Sequence, residues 1–222
     1  LTKLGPAWHR KYKPQVYYSL VQDFMNIDTK SNAKYTLLGC FDLYVLHSWV
    51  GGLTKFTDGR YQESTSAVVS SYYSTALMGM AYGDESLVSL GSTLVSLEIL
   101  VAKMWWHVEE GGKMYEKVFT KRSRIIGVLW SNKRDTGLWF DHVKWRECRL
   151  GIQLLPLVPN SEALFSYVRY VKWTLPALNR YGVGEGRKGF VYALEGIYDK
   201  ESALKKIKRL KGFDYWNFLT SH

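Results

Sequence analysis

The chain has 222 residues, 46% hydrophobic and 15% aromatic, with a formal net charge of +10. That composition excludes general disorder, the length suits one substantial core or a piece of a larger one, and no apolar run is read as reaching the roughly 18 residues of a membrane span, so no membrane partner is expected. Cys40 and Cys148 are too few for a disulfide framework and are expected as free thiols with Cys40 buried; with no Cys-x-x-Cys or His-x-x-x-His pair, no metal is expected either.

Residues 1–13 are short, basic and irregular, and a start at Leu1 is what a fragment or processed chain would show. Val16, Tyr17, Leu20, Val21 and Phe24 have helical spacing and predict a helix over 14–25. After a polar loop comes the stretch from Phe41 to Tyr73, which holds Asp42, His47 and Trp49 within eight positions. Gly51-Gly52, the turn Thr57-Asp58-Gly59-Arg60 and the polar string Tyr61-Gln62-Glu63-Ser64-Thr65-Ser66 follow. Two carboxylates, a histidine and a tryptophan converging across one loop suit an acid/base site for a sugar better than a purely structural helix.

From Ser66 to Tyr82, apolar pairs recur every four residues, which predicts a helix stopped at Gly83. If that helix reaches back to Glu63, position 67 lies one turn on and shares its direction. Asp84 is expected to cap a second helix over 86–108, with Glu98 a paired or hydrogen-bonded acid inside its apolar pattern. Ile125–Trp130 is strand or helix, Ser131–Gly137 a polar loop, and Leu150–Val158 an apolar run. Asn160 or Ser161 is expected to cap one helix continuing through Leu164, Phe165, Val168 and Val171. Gly182, Gly184, Gly186 and Gly189 lack the strand and spacing of a dinucleotide loop, so no cofactor is expected. Asp199 caps a last amphipathic helix whose lysines alternate with Leu204, Ile207 and Leu210. Those lysines form a solvated face, so the charge predicts no nucleic-acid partner. Long amphipathic helices joined by irregular loops make an all-α protein, a helical-hairpin array or toroid with function in the loops at one rim.

Asp42-Leu-Tyr-Val-Leu-His47-Ser48-Trp49-Val-Gly-Gly52, followed by Asp58-Gly59-Arg60-Tyr61-Gln62-Glu63-Ser64-Thr65-Ser66, resembles the active-site region of glycoside hydrolase family 81, the endo-1,3-β-glucanases, in its plant form. The likeness continues through Trp105-Trp106, Gly127–Trp130, Leu150–Pro156 and Ala193–Asp199 and covers nearly the whole chain. It implies that residues 1–222 are part of one (α/α)6 catalytic toroid, without the family's N-terminal β-sandwich and linking domains. It also implies a 1,3-β-glucan substrate, callose- or laminarin-like, cut by inversion.

On that resemblance Asp42 answers to the general acid and Glu63 to a site acid, with His47, Trp49, Tyr61 and Gln62 as substrate-binding candidates. The family's general-base glutamate falls on Ala67. Two readings therefore stay open: an endo-1,3-β-glucanase, and a glucan-binding pseudoenzyme or truncated remnant.

Overall fold

The computed structural model describes residues 14–27, 37–49, 57–138, 146–155, 157–178 and 185–211. The Gly51-Gly52 break, Trp139-Phe140 and the loop at 182–184 lie outside them. Helix α1 spans Pro14–Phe24, as its apolar spacing predicts. A short antiparallel hairpin, β1 (Phe41–Asp42) and β2 (His47–Ser48), pairs Phe41 with Ser48 and Asp42 with His47. Strand β3 (Tyr61–Gln62) then leads into α2 (Thr65–Tyr82), and α3 (Glu85–Val101) follows.

The α2–α3 turn forms as its residues dictate. Gly83 sits at φ 72, in the left-handed region that glycine enters without strain, and the Asp84 side chain accepts from Leu87 N. The two helices run antiparallel in close contact. A Cβ on Gly91 would meet Ala76 N at 2.8 Å and Tyr72 O at 3.0 Å, and one on Gly79 would meet Val88 N at 2.7 Å. Only hydrogen at these two positions lets the backbones approach so closely.

The second helix is shorter than its periodicity predicts. It passes at Ala102 into a π-helical turn, Ala102–Trp106, and His107 then leaves the helix to bridge Ile125. The sequence expectation about apolar runs also needs correcting, because the 22 helical residues Glu85–Trp106 hold an 18-residue window of mean hydropathy 1.6 and so pass for a membrane span by length and composition. In the fold it packs along α2 and buries Leu87, Leu94, Glu98 and Val101.

Helix α4 (Lys117–Arg122) precedes β4 (Val128–Trp130), so the second half of the ambiguous run at 125–130 is strand. Beside it lies β5 (Arg134–Asp135), inside the stretch expected to be loop. The sheet order is β3-β4-β5, with Tyr61 opposite Trp130 and Gln62 opposite Leu129. These short strands are an addition to the all-α expectation.

Helix α5 (Arg146–Leu154) occupies the first half of the apolar run, and α6 (Pro159–Glu162) follows with proline at its first turn. The single helix expected from Asn160 onward is broken. It tightens to a 3-10 turn at Ala163–Phe165, where Ser166 Oγ donates to the Ala163 carbonyl at 3.1 Å, and a separate helix α7 starts at Val168 and ends at Leu178. Seryl capture of a carbonyl competes with the next helical turn. Helices α8 (Glu185–Glu195) and α9 (Lys200–Ile207) are the last among the described residues, the second capped by Asp199 as expected.

Two apolar clusters hold these elements. One joins α1, the hairpin, α2, α3 and β4 through Met25, Phe41, Tyr72, Leu87, Trp106 and Leu129. The other joins α5, the 3-10 turn, α7 and α8 through Leu150, Leu164, Phe165, Val171 and Leu194. Neither cysteine is in a disulfide; Cys148 is buried, whereas Cys40, expected to be buried, is only partly so.

Candidate functional site

The hairpin β1–β2 places Asp42 at the end of its first strand, half-exposed. Its Oδ1 accepts from Tyr44 N at 2.8 Å and from Val45 N at 3.3 Å, an Asx turn that starts the loop. The loop closes on Leu46 at φ 55, a left-handed conformation that a branched side chain adopts only under strain. At the tip, Tyr44 is 95% exposed. Its bare ring beside the acid escaped the motif reading, because Leu43–Leu46 looks like core in sequence.

Trp49 turns back onto Asp42. Its indole N–H donates to Oδ2 at 2.9 Å. That bond, with the Tyr44 and Val45 amides behind it, outweighs desolvation and holds the Asp42 carboxyl below the ordinary carboxylate range. As folded, Asp42 is an ionised acceptor. The Trp49 ring also meets His47 edge-on, centroids 4.2 Å apart.

His47 is 3% exposed. Its Nδ1 lies 3.0 Å from the Ser48 carbonyl, to which it donates in the neutral tautomer, and burial holds the ring's pKa below its usual value. This nitrogen bonds to the backbone rather than to Asp42.

The polar string that follows divides in two. Tyr61 is half-buried, with its ring 4.9 Å from that of Trp130. Gln62, read from the resemblance as a substrate contact, is fully buried. Its Oε1 accepts from Ser48 N at 3.1 Å and its Nε2 donates to Glu98 Oε1. An amide used in this way faces the interior, so direct substrate contact is not what its geometry offers.

Glu63 is 7% exposed and precedes the helix rather than belonging to it. Ser64 is the N-cap, with its Oγ accepting from Ala67 N at 3.1 Å. The helix therefore does not reach back to position 63. Ala67 is exposed where Glu63 is buried, and the shared direction expected for these two positions is not present.

The hydroxyls of the string serve α5. Ser64 Oγ donates to the Ile152 carbonyl at 2.9 Å, and Ser66 Oγ reaches the Leu155 carbonyl at 2.6 Å. Ile152 lies in the C-terminal turn of α5 and Leu155 directly follows it, where the last C=O groups lack helical partners. From α5, Gln153 returns the contact. Its Oε1 accepts from Thr65 N and Thr65 Oγ1, both at 2.8 Å, while its Nε2 donates to the Glu63 carbonyl. Gln153 sits in an apolar run, where an isolated amide is the one available signal of a buried clamp.

Glu98 is fully buried on α3, and its Oε2 accepts from Ser48 Oγ at 3.1 Å. The sequence expectation of a hydrogen-bonded acid holds. Among the described residues, no three of His, Cys, Asp and Glu converge in a way that could hold a metal.

The family profile described as Glycosyl hydrolase family 81 C-terminal domain matches residues 1–218. A glucan endo-1,3-beta-D-glucosidase of Glycine max is 71% identical over 226 residues, covering 100% of this chain and 34% of that protein. A glucan endo-1,3-beta-D-glucosidase of Arthroderma benhamiae is 30% identical over 213 residues, covering 92% of this chain and 23% of its own. Among solved structures, an alanine mutant of a glycoside hydrolase family 81 protein from Clostridium thermocellum superposes with TM-score 0.76 at 21% identity, over 91% of this chain and 28% of that one. The likeness of fold identifies the helical hairpins as part of an α/α toroid. The chain spans about a third of the soybean relative's length.

Proposed function

The chain belongs to glycosyl hydrolase family 81, and on that premise we propose that it is the portion of an endo-1,3-β-glucanase catalytic toroid that carries the general acid, Asp42. One observation supports this reading above the rest. Ser48 N donates to Gln62 Oε1 at 3.1 Å, which sets the hairpin bearing Asp42 beside the strand leading to Glu63 and Ala67. Acid and opposite-face residues therefore come from adjoining segments, as a pair flanking a glycosidic bond requires.

In the proposed reaction Asp42 delivers a proton to the leaving glycosidic oxygen while water attacks the anomeric carbon from the opposite face and releases its own proton to solvent, which restores the Asp42 carboxyl. For this the carboxyl must first be protonated. The bond from Trp49 favours the anion, so a bound glucan has to reverse that preference by excluding water and presenting its own oxygen. Trp49 and Tyr61 are the ring surfaces available to a glucose residue from the motif, and callose- or laminarin-like chains are the substrate class. Glu63 is the second acid of the site.

A second reading is favoured by Ala67 itself. It is exposed in the first turn of α2, at the position where the resemblance puts the general base. A methyl group accepts no proton from water, so the chain as written is proposed to bind 1,3-β-glucan with turnover impaired.

The test is reducing-sugar release from a linear 1,3-β-glucan, alongside titration of soluble 1,3-β-gluco-oligosaccharides followed by tryptophan fluorescence. Saturable binding, with any turnover abolished by Asp42→Asn, is expected. No binding to 1,3-linked oligosaccharides, or turnover indifferent to Asp42→Asn, would defeat the reading.

A further inference from the structure

The hairpin that presents Asp42 is only two residue pairs long, and a hairpin of that size has little stability of its own. What fixes it is polar and buried. Glu98, projecting from the last turn of α3, accepts from Ser48 Oγ on β2 at 3.1 Å and from Gln62 Nε2 on β3. Gln62 Oε1 accepts in turn from Ser48 N at 3.1 Å, which closes a three-residue ring across three elements. Tyr72 OH, from α2, lies 2.9 Å from Ser48 Oγ and extends the ring to the neighbouring helix. All four side chains are buried.

The ring touches both halves of the site through chain neighbours. Ser48 follows His47, the cross-strand partner of Asp42, and precedes Trp49, whose indole holds the Asp42 carboxylate. Gln62 directly precedes Glu63. A carboxylate suits the junction because both its oxygens accept, and each receives a donor from a different strand. An apolar residue would leave Ser48 Oγ and Gln62 Nε2 buried without their acceptor.

We propose that Glu98 is a positioning residue for the site: through Ser48 and Gln62 it sets the hairpin that presents Asp42 against the strand that leads to Glu63 and Ala67. The proposal rests on the glucanase reading of that site. Glu98 never meets substrate, since it is fully buried, and acts only through these two residues.

The test uses the full chain with Glu98→Gln, Glu98→Leu and Ser48→Ala, each also placed in an Ala67→Glu background. Two readouts are taken: the Trp49 indole N–H resonance, assigned by its loss in Trp49→Phe, and release of reducing sugar from linear 1,3-β-glucan. Glutamine at 98 still accepts from Gln62 and can donate to Ser48 Oγ, leaving that hydroxyl free to donate to Tyr72, so Glu98→Gln is expected to keep the resonance in place and rescue turnover. Glu98→Leu and Ser48→Ala are expected to move the resonance and lower kcat by about 100-fold, the order of loss for a misplacement of about 1 Å.

If Glu98→Leu does not fold, Ser48→Ala decides, because it cuts the same bond without altering α3. A folded Glu98→Leu or Ser48→Ala with the Trp49 resonance unmoved, in a parent that turns over glucan, overturns this proposal alone. A parent that neither binds nor cleaves glucan defeats the glucanase reading, and with it any catalytic role for Glu98, even where the resonance moves.

Discussion

Replacing Ala67 by glutamate separates the two readings of the site, and its cost to the fold can be worked out in advance. Position 67 is the third residue of α2, exposed, and its amide already donates to Ser64 Oγ at 3.1 Å. A glutamate there meets no packed neighbour that must move. It gives up about 0.3 kcal/mol of intrinsic helix preference relative to alanine. Against this, an acid in the first turn of a helix gains about 0.3–1 kcal/mol from the unpaired amides of the N-terminus, and from this position it can reach back to the Ser64 amide in a capping box. The variant should therefore be neutral to slightly stabilised, with a melting temperature raised by no more than about 3 °C for a chain of this size. Its effect on chemistry should be much larger, because a positioned general base contributes about 10²–10⁴-fold. The assay is reducing-sugar release from linear 1,3-β-glucan, with the product anomer followed by NMR, and inversion predicts the α-anomer first. A folded Ala67→Glu protein that binds glucan and shows no gain in rate over its parent would refute the argument that the missing carboxylate limits turnover.

Four further outcomes follow from the geometry. Trp49→Phe removes the indole donor and should raise the Asp42 pKa, read from its side-chain carboxyl NMR titration; an unchanged midpoint would show that the Tyr44 and Val45 amides alone hold the carboxylate. Gln153→Leu leaves the Thr65 amide and hydroxyl without their acceptor and should cost about 2–4 kcal/mol in urea unfolding. Gly91→Ala should destabilise by about 1–2 kcal/mol despite alanine's better helix preference, because its methyl meets the α2 backbone at 2.8–3.1 Å; a gain in stability would show that the helices separate freely. Burial pushes Glu98 from 4.5 up to about 7, so the folded chain binds more protons than the unfolded chain in that window, and this group's stabilising contribution is present below 4.5 and lost as pH rises through 7. Glu98→Gln should flatten that part of the stability profile.

The local pattern of the sequence reached far into the fold. The helix at 65–82 with its stop at Gly83, the Asp84 and Asp199 caps and the burial of Glu98 are set by short-range chemistry: apolar spacing, a left-handed glycine, an oxygen reaching an unpaired amide. The motif likewise marks Asp42, His47 and Trp49 as neighbours, because a tight hairpin brings them together within eight residues. What the sequence could not specify was the use made of each polar group. Gln62 and Ser66 belong to one polar string, yet one is held by α3 and the other by the end of α5, a segment 86–89 residues away. Those bonds exist only once distant elements pack, since a buried amide or hydroxyl takes whichever partner the tertiary contact supplies. The same holds for the direction of Glu63 and Ala67. Spacing alone would align them on a helix, but the Ser64 cap starts that helix after Glu63, and packing against α5 leaves one side chain buried and the other exposed.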